Sequence, residues 1–128
     1  HAVVMDRVTF SGGAAVHQFC RVGRLALMGG MSGVSQDVPP FWIVQDGINN
    51  VRGVNVIGMR RAGVPATEIQ AVRHAYRIIN KTGLTLTAAV EKVEAEYGTL
   101  PAVRELIEFI RSSKRGVCVG RANVTDDE

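Results

Sequence analysis

Apolar residues recur at every sixth position through the first forty residues: Val4, Phe10, Val16, Val22, Met28 and Val34. Two positions before each stand Ala2, Val8, Ala14, Cys20, Ala26 and Ser32, mostly small. One position after each stand Met5, Ser11, His17, Gly23, Gly29 and Ser35, small in four of six cases. A period of six matches neither the two of a strand nor the 3.6 of a helix. It is a signature of a parallel β-helix, in which three hexads make one triangular coil and the apolar residue of each points into the shaft. The small residue that follows is read as a tight corner. Residues eighteen apart then stack, placing Val4 under Val22, Phe10 under Met28 and Val16 under Val34 at roughly 4.8 Å. Six hexads make two coils.

The repeat is expected to end at Val38-Pro39-Pro40, because consecutive prolines remove backbone donors from a hydrogen-bonded coil. Phe41 to Val44 reads as a strand-like return, and Asp46-Gly47 with Asn49-Asn50 as a loop. From Val51 the periodicity becomes helical. Four helices are predicted: Val54 to Arg61, ending near Gly63; Pro65 to Lys81, closed by Gly83; Leu86 to Tyr97, capped by Thr85 and closed by Gly98; and Pro101 to Lys114, before Gly116. The last three carry apolar stripes: Ile69, Val72, Tyr76, Ile79; Leu86, Val90, Val93, Tyr97; and Val103, Leu106, Ile107, Ile110. The expected organisation is a β-helix plus α architecture: coils over 1–40, a return strand and loop over 41–53, a four-helix domain over 54–119 and a disordered tail over 120–128.

Composition narrows this little. With 46% hydrophobic and 21% charged residues the chain is globular rather than disordered. No apolar run approaches the ~18 residues of a membrane span. Cys20 and Cys118 have no metal-ligand spacing, and Cys20 sits in the small inward register, so it reads as a buried thiol. The net charge of +3 favours acidic partners without naming one.

Three groups of residues have candidate chemistry. His17 and Gln18 project from a corner, with His1 close to one coil earlier, where imidazoles supply hydrogen bonds or a general base to a substrate lying along the shaft. A solvent-exposed histidine is the plainer reading of the same position. Arg60-Arg61 suits a diphosphate or carboxylate, since each guanidinium binds in a fork, although cations at a helix C-terminus are also favourable for the dipole alone. Arg73, Arg77 and Lys81 line one helix face with no acid among their own i±4 neighbours, leaving them for an acidic macromolecule rather than for local pairs. Gly29-Gly30 allows close approach to the backbone.

The run Gly12-Gly13-Ala14-Ala15-Val16-His17-Gln18-Phe19-Cys20, followed by Met28-Gly29-Gly30-Met31-Ser32-Gly33-Val34-Ser35-Gln36-Asp37-Val38-Pro39-Pro40, resembles the end of the β-helix in the acyl-carrier-protein–UDP-N-acetylglucosamine O-acyltransferases of lipid A biosynthesis. The Gly53-Val54-Asn55, Arg60-Arg61 and Ser112-Ser113-Lys114-Arg115-Gly116 segments resemble that family too. The resemblance implies the last two coils of a left-handed β-helix followed by a small helical domain, in a cytoplasmic homotrimer with active sites between subunits. It implies transfer of a 3-hydroxyacyl group from acyl carrier protein to the 3-hydroxyl of UDP-N-acetylglucosamine, with no metal or organic cofactor and no nucleic acid. By similarity His1, His17 and Gln18 line the sugar-nucleotide site, Asn55 and Arg61 hold the uridine diphosphate part, and Gly30 helps to set acyl-chain length. Ile48, in the loop beside the same groove, is expected to shorten it from the other side, and Arg73, Arg77 and Lys81 to dock the carrier. Ile57 and Ala62 depart from members that have an acidic residue and a second arginine there. The family's general base lies in a segment expected upstream of His1, so the chain alone is expected to be inactive. The hexads alone leave open an acetyl-CoA-dependent hexapeptide acetyltransferase, and the basic helix leaves open a non-enzymatic β-helical assembly module binding an acidic partner.

Overall fold

The hexads fold in the register their spacing predicts. The computed structural model describes residues 3–10 and 12–120, so the expectations placed on His1 and on the tail from 121 onward lie outside the described residues. Strands β1 (Val3–Val4), β2 (Thr9–Phe10) and β3 (Ala15–Val16) are followed by β4 (Arg21–Val22), β5 (Leu27–Met28) and β6 (Ser32–Val34). Each of the second set pairs in parallel with its counterpart in the first, with Val4 against Val22, Phe10 against Met28 and Val16 against Val34. The chain visits three sheets in rotation, which is what a coil requires. Val22, Met28 and Val34 are buried in the shaft, whereas Val4 and Phe10, in the first pass, are each 46% exposed.

The corners lie elsewhere than expected. Left-handed backbone recurs at Arg7, Gly13, Phe19, Leu25 and Met31, six residues apart with φ from 56° to 81°, so the chain turns three residues after each inward side chain. His17 therefore stands just before a turn rather than in one. Gly23 and Gly29 are glycine because of the coil stacked on them. A Cβ at Gly23 would lie 2.4 Å from the Pro40 nitrogen, and one at Gly29 would lie 2.5 Å from the Gln45 Cβ. Bulky residues in the left-handed region cost on the order of 1–2 kcal/mol each. At Leu25 and Phe41 that cost is offset by burial of the side chain.

The coil also runs past the proline pair. Val38 bridges to Val22, β7 (Trp42–Val44) pairs in parallel with β5, and β8 (Gly47–Ile48), inside the expected loop, pairs in parallel with β6. The offset shrinks from eighteen to sixteen at Met28–Val44 and to fifteen at Gly33–Ile48, so this third pass is shorter. Pro39 and Pro40 occupy the intervening corner, and the next available donor, the Phe41 N–H, reaches the Arg24 carbonyl at 3.0 Å. Residues 51–54, expected as the approach to a helix, form β9 (Val51–Val54), antiparallel to β7. The first helix, α1 (Val56–Arg61), begins only after it.

Helices α2 (Ala66–Lys81), α3 (Leu86–Tyr97) and α4 (Pro101–Ser112) follow the predicted pattern, with Pro65 as the N-cap of α2 rather than a residue of its first turn. The Thr85 hydroxyl caps α3 by accepting from the Ala88 N–H at 3.2 Å. Helix α2 is central and packs on α3, α4 and β9. Its Ile69, Val72, Tyr76 and Ile79 meet Val90 and Val93 of α3 and Val103, Leu106, Ile107 and Ile110 of α4 in one buried cluster continuous with the coil interior. Trp42 of β7 joins the two parts, its ring edge-on to Tyr76 with centroids 5.4 Å apart.

Polar contacts fix the helices to the coil at Asp37, which is 2% exposed. Its carboxylate accepts from the Arg21 backbone N–H at 2.7 Å, the Ser113 hydroxyl at 2.7 Å and the Arg21 Nε at 3.4 Å. Its main chain pairs with Gly116 and Cys118. Helix α4 ends at Ser112, short of the expected Lys114, because Ser113 turns into extended backbone to reach this carboxylate. A second tie is Arg24, which forks onto Glu105 at 2.9 and 3.0 Å. Among the described residues, no helix is long and apolar enough to cross a membrane.

Candidate functional site

The candidate residues fall on separate corners of the coil. His17 and Gln18 stand where the chain passes from β3 to β4, both exposed, with the His17 Nδ1 3.1 Å from the Gln18 carbonyl. Gly30 stands at the corner between β5 and β6. Asn55 is tied to the corner between β4 and β5, where its Nδ2 donates to the Leu25 carbonyl at 2.9 Å. One copy of the chain therefore does not gather these residues into a single pocket.

Asn55 is buried and its amide both donates and accepts. Besides the bond to Leu25, its Oδ1 accepts from the Gly58 N–H at 3.1 Å and caps α1. Its visible task is to aim α1 at the coil and so to place Arg60 and Arg61, both exposed in the last turn. Of the two departures, Ile57 is 63% exposed on the same short helix and Ala62 is its C-cap.

Gly30 lies under the start of β8, whereas Ile48 itself stacks on Gly33, where a Cβ would lie 2.9 Å from the Ile48 Cδ1. The Asp46 N–H donates to the Gly30 carbonyl at 3.4 Å and the Gly47 N–H to Met31 at 3.3 Å, so β8 starts directly over the Gly30 corner. Ile48, in a strand rather than a loop, is 73% exposed and opposite Gly33. Among the described residues, a Cβ at Gly30 would meet nothing nearer than the Gly12 carbonyl at 3.6 Å. Ile48 also lines an open cavity of about 850 Å³ with Asn49, Asn50, Arg52 and Lys81.

Lys81 links that cavity to the basic face of α2. Arg73, Arg77 and Lys81 rim a second cleft, about 350 Å³, whose walls include Gly53, Val54 and Tyr76. Four other arginines among the described residues are paired: Arg21 with Asp37, Arg24 with Glu105, and Arg104 and Arg111 with Glu94. The Arg111 and Arg104 hydrogen bonds hold the Glu94 carboxyl down to about 2. Among the described residues no carboxylate pairs with Arg52, Arg73, Arg77 or Lys81, and Arg73 has only the Gln70 amide oxygen at 3.4 Å. Arg52 was not singled out from the sequence, and Tyr76 was read there only as part of the apolar stripe of its helix. The signal for Arg52 was an exposed cation beside buried Val51, legible only once that stretch is read as a strand. The two cysteines are buried; desolvation pushes the Cys118 thiol up to about 12 and raises that of Cys20, which keeps both protonated.

Comparison with known proteins gives one answer by three routes. The family profile described as "UDP N-acetylglucosamine O-acyltransferase; Domain 2" matches residues 37–118. The acyl-[acyl-carrier-protein]–UDP-N-acetylglucosamine O-acyltransferase of Anaeromyxobacter sp. (strain K) is 43% identical over 117 residues, covering 91% of this chain and 46% of the relative. The solved UDP-N-acetylglucosamine acyltransferase of Bacteroides fragilis superposes with a TM-score of 0.82 at 36% identity, over 91% of this chain and 46% of that one. The Arabidopsis enzyme does so with a TM-score of 0.81 at 36% identity, over 92% and 44%. The chain spans about half the length of the curated relatives it matches. With the Asp37 junction and the four helices inside the span that the family profile matches, and relatives that are 43% identical covering 91% of the chain, the chain belongs to the UDP-N-acetylglucosamine O-acyltransferase family.

Proposed function

We propose that the chain is the C-terminal half of a cytoplasmic, homotrimeric acyltransferase that moves a 3-hydroxyacyl group from acyl carrier protein to the 3-hydroxyl of UDP-N-acetylglucosamine, the first step of lipid A biosynthesis. In this reading the coil is left-handed. The observation that carries the reading is the dispersal of His17 with Gln18, Gly30, and Asn55 with Arg61 over three corners of one coil. Such a distribution makes a complete site only when neighbouring copies bring different corners together. In that arrangement His1, His17 and Gln18 line the sugar nucleotide, Arg61 grips its diphosphate from a helix placed by Asn55, and Gly30 with Ile48 bounds the far end of the acyl chain.

Arg73, Arg77 and Lys81 receive the acidic surface of the carrier, which is supported by their lack of carboxylate partners among the described residues. The general base belongs to the part of the relatives' length that this chain does not span. Its role is to take the proton from the sugar hydroxyl as the oxygen attacks the thioester carbonyl, and the carrier thiol leaves. Binding of UDP-N-acetylglucosamine by the full-length protein tests the reading against an acetyl-CoA-dependent transferase and against a non-enzymatic module. Saturable binding that Arg61→Ala weakens supports it, and recognition of acetyl-CoA instead overturns it.

A further inference from the structure

Gly120 is the last described residue, and it is held against the C-terminal end of α2. Asn80, fully buried, donates from its Nδ2 to the Tyr76 carbonyl at 2.9 Å and accepts the Gly120 N–H at its Oδ1. A Cβ at Gly120 would lie 3.0 Å from the Asn80 Cβ, so glycine permits this approach. Asn80 immediately precedes Lys81, and Gly120, Lys81 and Arg52 line one open cavity. Arg77 and Arg73 follow one and two turns back along α2, about 6 and 12 Å from Lys81. Among the described residues none of these four cations has a carboxylate at ion-pair distance. The cleft that Arg73, Arg77 and Lys81 share has no acidic lining residue, and the larger cavity has only Asp46.

The sequence supplies acids where this surface lacks them. Beyond Gly120 it runs Arg121-Ala122-Asn123-Val124-Thr125-Asp126-Asp127-Glu128, with three carboxylates in a row. Asp126 is six positions past Gly120, a reach of up to about 20 Å at roughly 3.4 Å per residue, which takes in Lys81, Arg77 and Arg73. Exposed ion pairs are individually weak, but a tether of a few residues holds these acids at an effective concentration on the order of millimolar, so weak contacts are populated. We propose that Asp126, Asp127 and Glu128 fold back onto Lys81, Arg77 and Arg52 and occupy the basic rim between β9 and α2, where an acidic partner must displace them. The competition rests on the carrier-docking reading of the stripe, whereas the contact itself does not.

Two readouts on the full-length protein separate the contact from the competition. Trypsin cuts after Arg121, and the rate at which it frees the peptide beginning at Ala122 reports whether the segment is held. Rates are taken relative to synthetic 119–128 peptides of the same sequence, which removes any effect of the acids on trypsin itself. Titration with acyl carrier protein reports the competition. Asp126→Asn/Asp127→Asn/Glu128→Gln is expected to free the peptide roughly threefold faster and to bind the carrier roughly threefold more tightly at low salt, both differences fading as salt rises. Arg77→Gln/Lys81→Gln is expected to speed release similarly, and the neutral tail added to it to change neither readout further. If the neutral tail is freed no faster than the wild type, the contact is overturned. If the cation variant weakens carrier binding but leaves release unchanged, the docking face stands and the contact on it is overturned. If it speeds release but leaves carrier affinity unchanged, the contact stands and the docking reading fails. Faster release of the neutral tail with unchanged carrier affinity, where the cation variant does weaken the carrier, overturns the competition. Thermal unfolding of the cation variant should match the wild type, because Arg77 and Lys81 are exposed and outside every ion pair among the described residues.

Discussion

Methionine at Gly30 probes the acyl end of the proposed site, and the adjacent glycine supplies the control. Among the described residues a Cβ at Gly30 meets only the Gly12 carbonyl at 3.6 Å, whereas one at Gly29 would lie 2.5 Å from the Gln45 Cβ and 3.2 Å from the Val44 carbonyl. Gly30→Met is therefore expected to fold normally, and Gly29→Ala to lose on the order of 1–3 kcal/mol through overpacking against the stacked coil. The methionine side chain adds four heavy atoms and displaces roughly as many terminal methylenes. At about 0.8 kcal/mol per buried methylene the penalty on a long donor approaches ~3 kcal/mol, or roughly a hundredfold in kcat/KM relative to a short one. The assay is competition between long and short 3-hydroxyacyl carriers in the full-length protein, with thermal unfolding alongside. Because β8, which carries Ile48, starts over the same corner, Ile48→Ala in the double variant is expected to restore part of the long-chain rate. Equal slowing of both donors by Gly30→Met would refute the ruler, and a loss of stability like that of Gly29→Ala would refute the claim of open space.

Arg61→Ala is expected to weaken UDP-N-acetylglucosamine binding by about 1.5–3 kcal/mol, the worth of a hydrogen bond to a charged group, with unfolding unchanged. Asn55→Ala should weaken binding and also cost about 1–2 kcal/mol of stability, since it removes the α1 cap and leaves the Leu25 carbonyl unpaired; equilibrium denaturation of both variants checks the contrast. Reversing Arg73 and Arg77 to Glu is expected to raise the apparent KM for the carrier, and added salt to mimic it in the wild type; an unchanged KM would leave the stripe a solvated face. Glu94 titrates in the folded protein near 2, below its ordinary 4.5, so the stability it contributes is present above about 4.5 and lost as pH falls toward 2. Glu94→Gln should accordingly be less stable than wild type at neutral pH, with the gap closing over that acidic window in pH-dependent thermal melts.

The coil was legible wherever its stacking offset held at eighteen, because then each inward residue repeats and the pairs can be read by counting. The third pass escaped because its offsets of sixteen and fifteen break the count, and because Pro39-Pro40 resembles a stop when it occupies a corner. Glycines at 23 and 29 suggested corners, but their smallness serves the backbone above them, a contact between residues sixteen or more apart that local pattern does not reveal. Helices α2 to α4 were readable from caps and apolar stripes, whereas four-residue β9 carries too little pattern to separate from the start of a helix. The site was less accessible. The stripe on α2 was visible as spacing, yet its cleft depends on β9 lying beside it, and Asn55 shows its capping role only once α1 starts at Val56.

The central claim is met most directly by turnover. Full-length protein incubated with a 3-hydroxyacyl carrier protein and UDP-N-acetylglucosamine should release free carrier thiol in step with a 3-O-acylated sugar nucleotide, and acetyl-CoA should not replace the donor. The 128-residue chain by itself should give none of this product. Acetyl transfer without 3-hydroxyacyl transfer by the full-length protein, or turnover by the 128-residue chain alone, would contradict the account.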